Sequence, residues 1–161
     1  MAIEFENDEL YAACKAVEPF LDRLVLVGGW AFRALMNIWR DEDRETKDAD
    51  FAVELVSKEA FEKIAKHLFA QGFERRKLSK GLKRREPVEY SFEQNDKRIE
   101  ILPFGEHAKE FINLNLKEYR LAFENNQALI VRNTSGDALS LKVVQVSSLV
   151  VMKISSFSDR W

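Results

Sequence analysis

Four apolar residues in a row, Leu24-Val25-Leu26-Val27, run directly into Gly28-Gly29 and then into Trp30-Ala31-Phe32-Arg33-Ala34-Leu35. A short unbroken apolar run bounded by glycines is the pattern of a strand buried on both faces. Glycine supplies the turn, and Ala31, Ala34, Leu35 and Ile38 fall on one side of the helix that follows, over residues 30–39. Strand, turn and helix in this order predict an α/β (α+β) fold, a mixed β-sheet flanked by helices.

The next informative segment is Thr46-Lys47-Asp48-Ala49-Asp50-Phe51-Ala52-Val53. If the chain is a strand from residue 49 onward, a period of two sends Ala49, Phe51 and Val53 into the core and leaves Asp48 and Asp50 together on the other face. Two carboxylates on one face can share a metal ion. Between the helix and this strand, residues 40–44 are polar and read as a loop.

The rest of the chain supplies elements around this centre. Asn7-Asp8-Glu9 caps a helix running through about residue 23, with Leu10, Ala13, Cys14, Val17, Phe20 and Leu21 near helical spacing. Phe61, Ile64, Ala65, Leu68 and Phe69 mark a second amphipathic helix that Gly72 stops. Residues 88–93 and 98–102 read as strands joined by the polar turn at 94–97, so Glu100 alternates away from Ile99 and Ile101. Further short strands are predicted at 118–123, 128–132 and 139–142, and a last helix at 146–157. No repeat or linker divides the chain, which reads as one domain over residues 1–161 with a core at about 24–105.

Composition narrows the function classes. With 161 residues, 46% hydrophobic, the chain can bury a substantial core. It has no uncharged apolar run of about 18 residues, and its start is acidic, which predicts a cytoplasmic protein with no membrane partner. One cysteine, Cys14, permits no internal disulfide, and His67 and His107 stand apart without zinc-ligand spacing. Neither Gly-x-Ser-x-Gly nor a Gly-x₄-Gly-Lys-Ser/Thr phosphate loop occurs. The net charge of −2 gives no chain-wide attraction to nucleic acid, but Arg75, Arg76, Lys77, Lys80, Lys83, Arg84 and Arg85 form a local basic run. That run reads as a solvated hairpin or loop, or as a groove for the phosphates of RNA or a nucleotide.

Three segments in order, Gly28-Gly29-Trp30-Ala31, Arg44-Glu45-Thr46-Lys47-Asp48-Ala49-Asp50 and Arg98-Ile99-Glu100-Ile101-Leu102-Pro103-Phe104-Gly105, resemble the core of the DNA polymerase β-like nucleotidyltransferase superfamily. Within it the chain looks most like the AbiEii-type abortive-infection and toxin nucleotidyltransferases, which implies a minimal nucleotidyltransferase fold. The resemblance makes Asp48, Asp50 and Glu100 the catalytic residues and the metal ligands, for two Mg2+ ions. It makes Gly28 and Gly29 the seat of a nucleoside triphosphate, with Arg33, Lys47 and, by likeness to the family's terminal helix, Lys153 as phosphate contacts. Each of these three cations also reads as an ordinary surface or snorkelling charge, and Trp30 reads as core or as a base-stacking platform.

The implied reaction moves a nucleoside monophosphate from an NTP to a hydroxyl of RNA such as tRNA, of protein or of a small molecule. The implied setting is a toxin of a toxin–antitoxin or phage-defence pair, with a cognate antitoxin. Gly-Gly-Trp-Ala is also similar to small antibiotic adenylyltransferases, so an aminoglycoside- or lincosamide-like acceptor stays open. Glu100 stands where the family usually has aspartate, which keeps open a module that binds nucleotide or a partner without turnover. In relatives the helix at 146–157 leads into a further helical region, so the chain reads as a minimal form, as a fragment, or as one whose missing helical region a partner supplies, and exposed Val150, Val151 and Ile154 would favour a homodimer.

Overall fold

The computed structural model describes residues 2–37, 48–54, 57–80, 84–105 and 119–158. Their centre is a mixed sheet made of β1 (Ile3–Glu6), β2 (Leu24–Val27), β3 (Asp48–Glu54), β4 (Glu74–Lys80), β5 (Arg84–Gln94), β6 (Lys97–Phe104), β7 (Asn126–Arg132) and β8 (Ala138–Val144). Across the sheet the order is β1-β7-β8-β2-β3-β6-β5-β4. β2, expected as a fully buried strand, has all four residues buried and lies between β8, parallel, and β3, antiparallel. β3 and β6 pair in parallel and β5 and β6 as an antiparallel hairpin.

Alternation divides the sheet into two faces. Leu26, Phe51, Ile101, Phe92, Val143, Leu129 and Phe5 are fully or almost fully buried and share one face through their cross-strand register. Helix α1 (Asp8–Ala16) packs over β7 and β8, and α3 (Lys58–Ala70) over the β5 side, where the Phe61 and Phe69 rings lie 6.4 Å and 5.8 Å from the Phe92 ring. Both helices start as their sequences require: Asn7 and Ser57 side chains accept hydrogen bonds from Leu10 N and Ala60 N.

Helix α2 (Gly28–Met36) leaves β2 without a loop, since Gly28 takes φ +71° and turns the chain at once. It ends on Asn37, left-handed at φ 52°; residues 38–47, which include the expected loop, lie outside the described residues. Helix α4 (Arg120–Glu124) is short, and its flank meets the end of β6 where the Phe104 and Phe123 rings are 4.7 Å apart. Helix α5 (Val146–Ser158) packs on α2 and α4 and leaves Val150, Val151 and Ile154 exposed.

Three sequence expectations change. The helix expected to run to residue 23 stops at Ala16, because Pro19 lacks the amide donor a continuing helix needs, and a 3₁₀ turn (Glu18–Arg23) carries the chain into β2. The strand expected at 118–123 is instead α4 over its described part. Asn125 donates to Leu121 O and Asn126 to Ala122 O and Phe123 O, satisfying the carbonyls that a helix end leaves free. β1 was unexpected; it pairs in parallel with β7. The described part of the basic run forms the β4–β5 hairpin, with an irregularity between Arg75 and Lys77.

Candidate active site

On the face of the sheet opposite Phe51 and Ile101, the register lines up two rows of side chains. Asp48 stands beside Arg98 and Arg98 beside Glu93; in the next row Asp50 stands beside Glu100 and Glu100 beside Ser91. The rows arise because β3, β6 and β5 are consecutive in the sheet and each places every second residue on this side. Ala49, Phe51 and Val53 enter the core, at 2%, 0% and 3% exposure. The two aspartates accordingly face the other way, half-buried.

Asp48, Asp50 and Glu100 each offer a carboxylate oxygen, and these oxygens lie within 4.8 Å of one another. Glu100 is steadied by Ser91, whose hydroxyl donates to Glu100 Oε1 at 3.5 Å. Asp50 Oδ1 is buried without a hydrogen-bond partner among the described residues. Burial pushes the Asp50 carboxyl well above the usual carboxylate range, and the negative charges of Glu100 and Asp48 push it further, with Arg98 opposing. Glu100 is raised for the same reasons, burial first and then Asp48, while its hydrogen bond with Asp50 and the charges of Arg76 and Arg98 pull it down. Burial and Glu100 also raise the Tyr90 phenol.

Such a cluster is costly without a cation. Three partly desolvated carboxylates repel one another, and a buried oxygen without a donor lacks what water would have given it. A hard divalent ion answers both, and Mg2+ is bound by carboxylates with waters and substrate phosphates completing its shell. The donor set therefore fits the ion expected from the sequence.

Gly28 is built into the same site. A Cβ added there would run into the Asp50 carboxylate, so the first turn of α2 and the Asp50 side chain occupy space that only a glycine leaves free. Trp30, at 3% exposure, is core. Arg33 lays its guanidinium over the Trp30 ring, 4.9 Å from the centroid, one turn along α2. Lys153 is exposed on α5. Lys47, like Arg44 and Thr46, lies outside the described residues, as does His107. His67 meets the Phe20 ring edge at 5.5 Å, a packing contact.

The sequence did not single out Arg98 as a site residue, and it noted Arg76 only within the basic run, not beside the carboxylates. Arg98 Nη1 is 3.3 Å from Asp48 Oδ1, and Arg76 carries its charge close enough to Glu100 to lower that carboxyl. The signal for Arg98 was present, since a residue two before Glu100 on a strand shares its face.

The model of the family described as "Nucleotidyl transferase AbiEii toxin, Type IV TA system" matches residues 10–161. The chain belongs to this family. It is a nucleotidyltransferase of the AbiEii toxin family, and the matched span contains the glycine turn, the Asp48–Asp50 strand and Glu100. Comparison with curated proteins finds no match. No described helix of this AbiEii-family chain is long and apolar enough to cross a membrane.

Proposed function

We propose that the chain transfers a nucleoside monophosphate from an NTP to a hydroxyl acceptor, with Asp48, Asp50 and Glu100 holding Mg2+ as a pair of ions. The observation that carries this reading is the convergence of three carboxylate oxygens within 4.8 Å around the partnerless Asp50 Oδ1. When bound, Mg2+ would supply charge neutralisation on the phosphoryl oxygens and help for the leaving pyrophosphate.

The chain's own residues have distinct parts in this reading. The first turn of α2, starting at Gly28-Gly29, has backbone N–H groups with no earlier carbonyl to bind, which suits the β- and γ-phosphates. Arg33, Lys47 and Lys153 contact the phosphates. Glu100, beside Asp50 at the same register, would face the acceptor hydroxyl from the metal-holding cluster and receive its proton as the bond to the α-phosphate forms. The domain acts as one unit built around residues 24–105, and family membership supports a cognate antitoxin as partner.

The test is calorimetry of ATP, GTP, CTP and UTP with and without Mg2+ on the wild type and on a variant carrying Asp48→Ala and Asp50→Ala. Metal-dependent binding that disappears in the variant supports the site. A folded wild type that binds no nucleotide under any condition would overturn it.

A further inference from the structure

Arg98 stands between two acids at its own register, Asp48 on one neighbouring strand and Glu93 on the other. Its Nη1 lies 3.3 Å from Asp48 Oδ1 and 3.5 Å from Asp48 Oδ2, and its Nη2 lies 4.0 Å from Glu93 Oε2. The Nε is buried with no hydrogen-bond partner among the described residues, so the guanidinium is not held by a full set of acceptors. One of the two acids belongs to the carboxylate cluster and the other does not.

A guanidinium on Asp48 does part of what a divalent ion would do. It neutralises one charge, but being a donor fork it cannot take oxygens from all three carboxylates at once. Ion and guanidinium repel each other, and both seek Asp48.

We propose that Arg98 is an internal counter-cation: it sits on Asp48 in the metal-free protein and shifts to Glu93 when a divalent ion takes the cluster. The proposal rests on the metal-site reading above. Arg98 is thus a positioning residue, acting through Asp48 and setting how tightly and how selectively the cluster takes an ion. Glu93 is its alternative acceptor, fixed at the right distance by the β5–β6 hairpin. No bond is made or broken; one ion pair is exchanged for another, and the metal's charge replaces that of the guanidinium at Asp48.

The experiment is a Mn2+ titration followed by the electron paramagnetic resonance of free Mn2+, without nucleotide, on the wild type, Asp50→Asn, Arg98→Gln and Glu93→Gln. Circular dichroism confirms that each is folded. Wild-type binding abolished in Asp50→Asn establishes the metal site by itself. Arg98→Gln should then bind Mn2+ on the order of tenfold more tightly, because a competing positive charge within ion-pair distance of a ligand has gone. A merely structural arginine would have the opposite effect, since its loss would disorder Asp48 and weaken binding. Glu93→Gln should bind several-fold more weakly than wild type, and should have little further effect when added to Arg98→Gln. Unchanged or weaker binding in Arg98→Gln beside a normal wild type overturns the counter-cation and leaves the metal site standing. If Arg98→Gln does not fold, unchanged binding in Glu93→Gln overturns it instead. Absence of Mn2+ binding in wild type and Arg98→Gln alike overturns both.

Discussion

At Asp50 the free energy of folding and the chemistry of the site pull against each other. A carboxyl held above its unfolded value binds its proton more tightly in the native chain than in the unfolded one. The stability this contributes is complete below about pH 4, the ordinary carboxylate value, and is lost as pH rises through the native value. The metal-free protein should therefore lose thermal stability from mild acid to neutrality, and Asp50→Asn should flatten that slope; differential scanning calorimetry at stepped pH reads both. Gly28 faces the same carboxylate from α2. Gly28→Ala should destabilise by about 1–2 kcal/mol in urea titration, since φ +71° is a left-handed backbone, and should lower nucleotide binding as Asp50 is pushed aside. Cys14 is a simpler case: burial pushes its thiol up to about 12, so dithionitrobenzoate should leave the native protein unlabelled and react fully in denaturant.

Among the elements, those with an unambiguous period were readable and those decided by a single cap or break were not. The buried strand β2, the Asp-x-Asp strand and the i, i+3, i+4 pattern of α3 all follow from where apolar residues fall. The candidate carboxylates were legible for the same reason, since alternation alone puts Asp48, Asp50 and Glu100 on the side away from Phe51 and Ile101. Their convergence was expected from the family resemblance alone, because it depends on β3 and β6 being parallel neighbours in register, which no local pattern encodes. α4 was misread because an aromatic-rich stretch suits a strand until the two asparagines that close its end are counted. Pro19 shows how one missing donor outweighs a favourable apolar spacing. The role of α3 can be tested directly: Leu68, fully buried, should cost about 2–5 kcal/mol on change to Ala, measured by denaturant unfolding.

For the whole molecule, ligand and fold are linked. A nucleotide with Mg2+ that binds only the native state should stabilise it by about 2.7 kcal/mol at a hundred times its Kd, and the variant lacking both aspartates should gain nothing; melting curves with and without ligand decide it. The parallel pairing of β3 with β6 has a temporal consequence as well. Between these strands the chain must make α3 and the β4–β5 hairpin, so Glu100 joins the aspartates only after a long detour has closed. Contacts of such large sequence separation must first meet the entropy of closing the intervening loop, which makes them slow to form. A nascent or partly unfolded chain therefore carries the three acids without their cluster, and on the proposed reading it should hold a divalent ion only once β6 has docked beside β3.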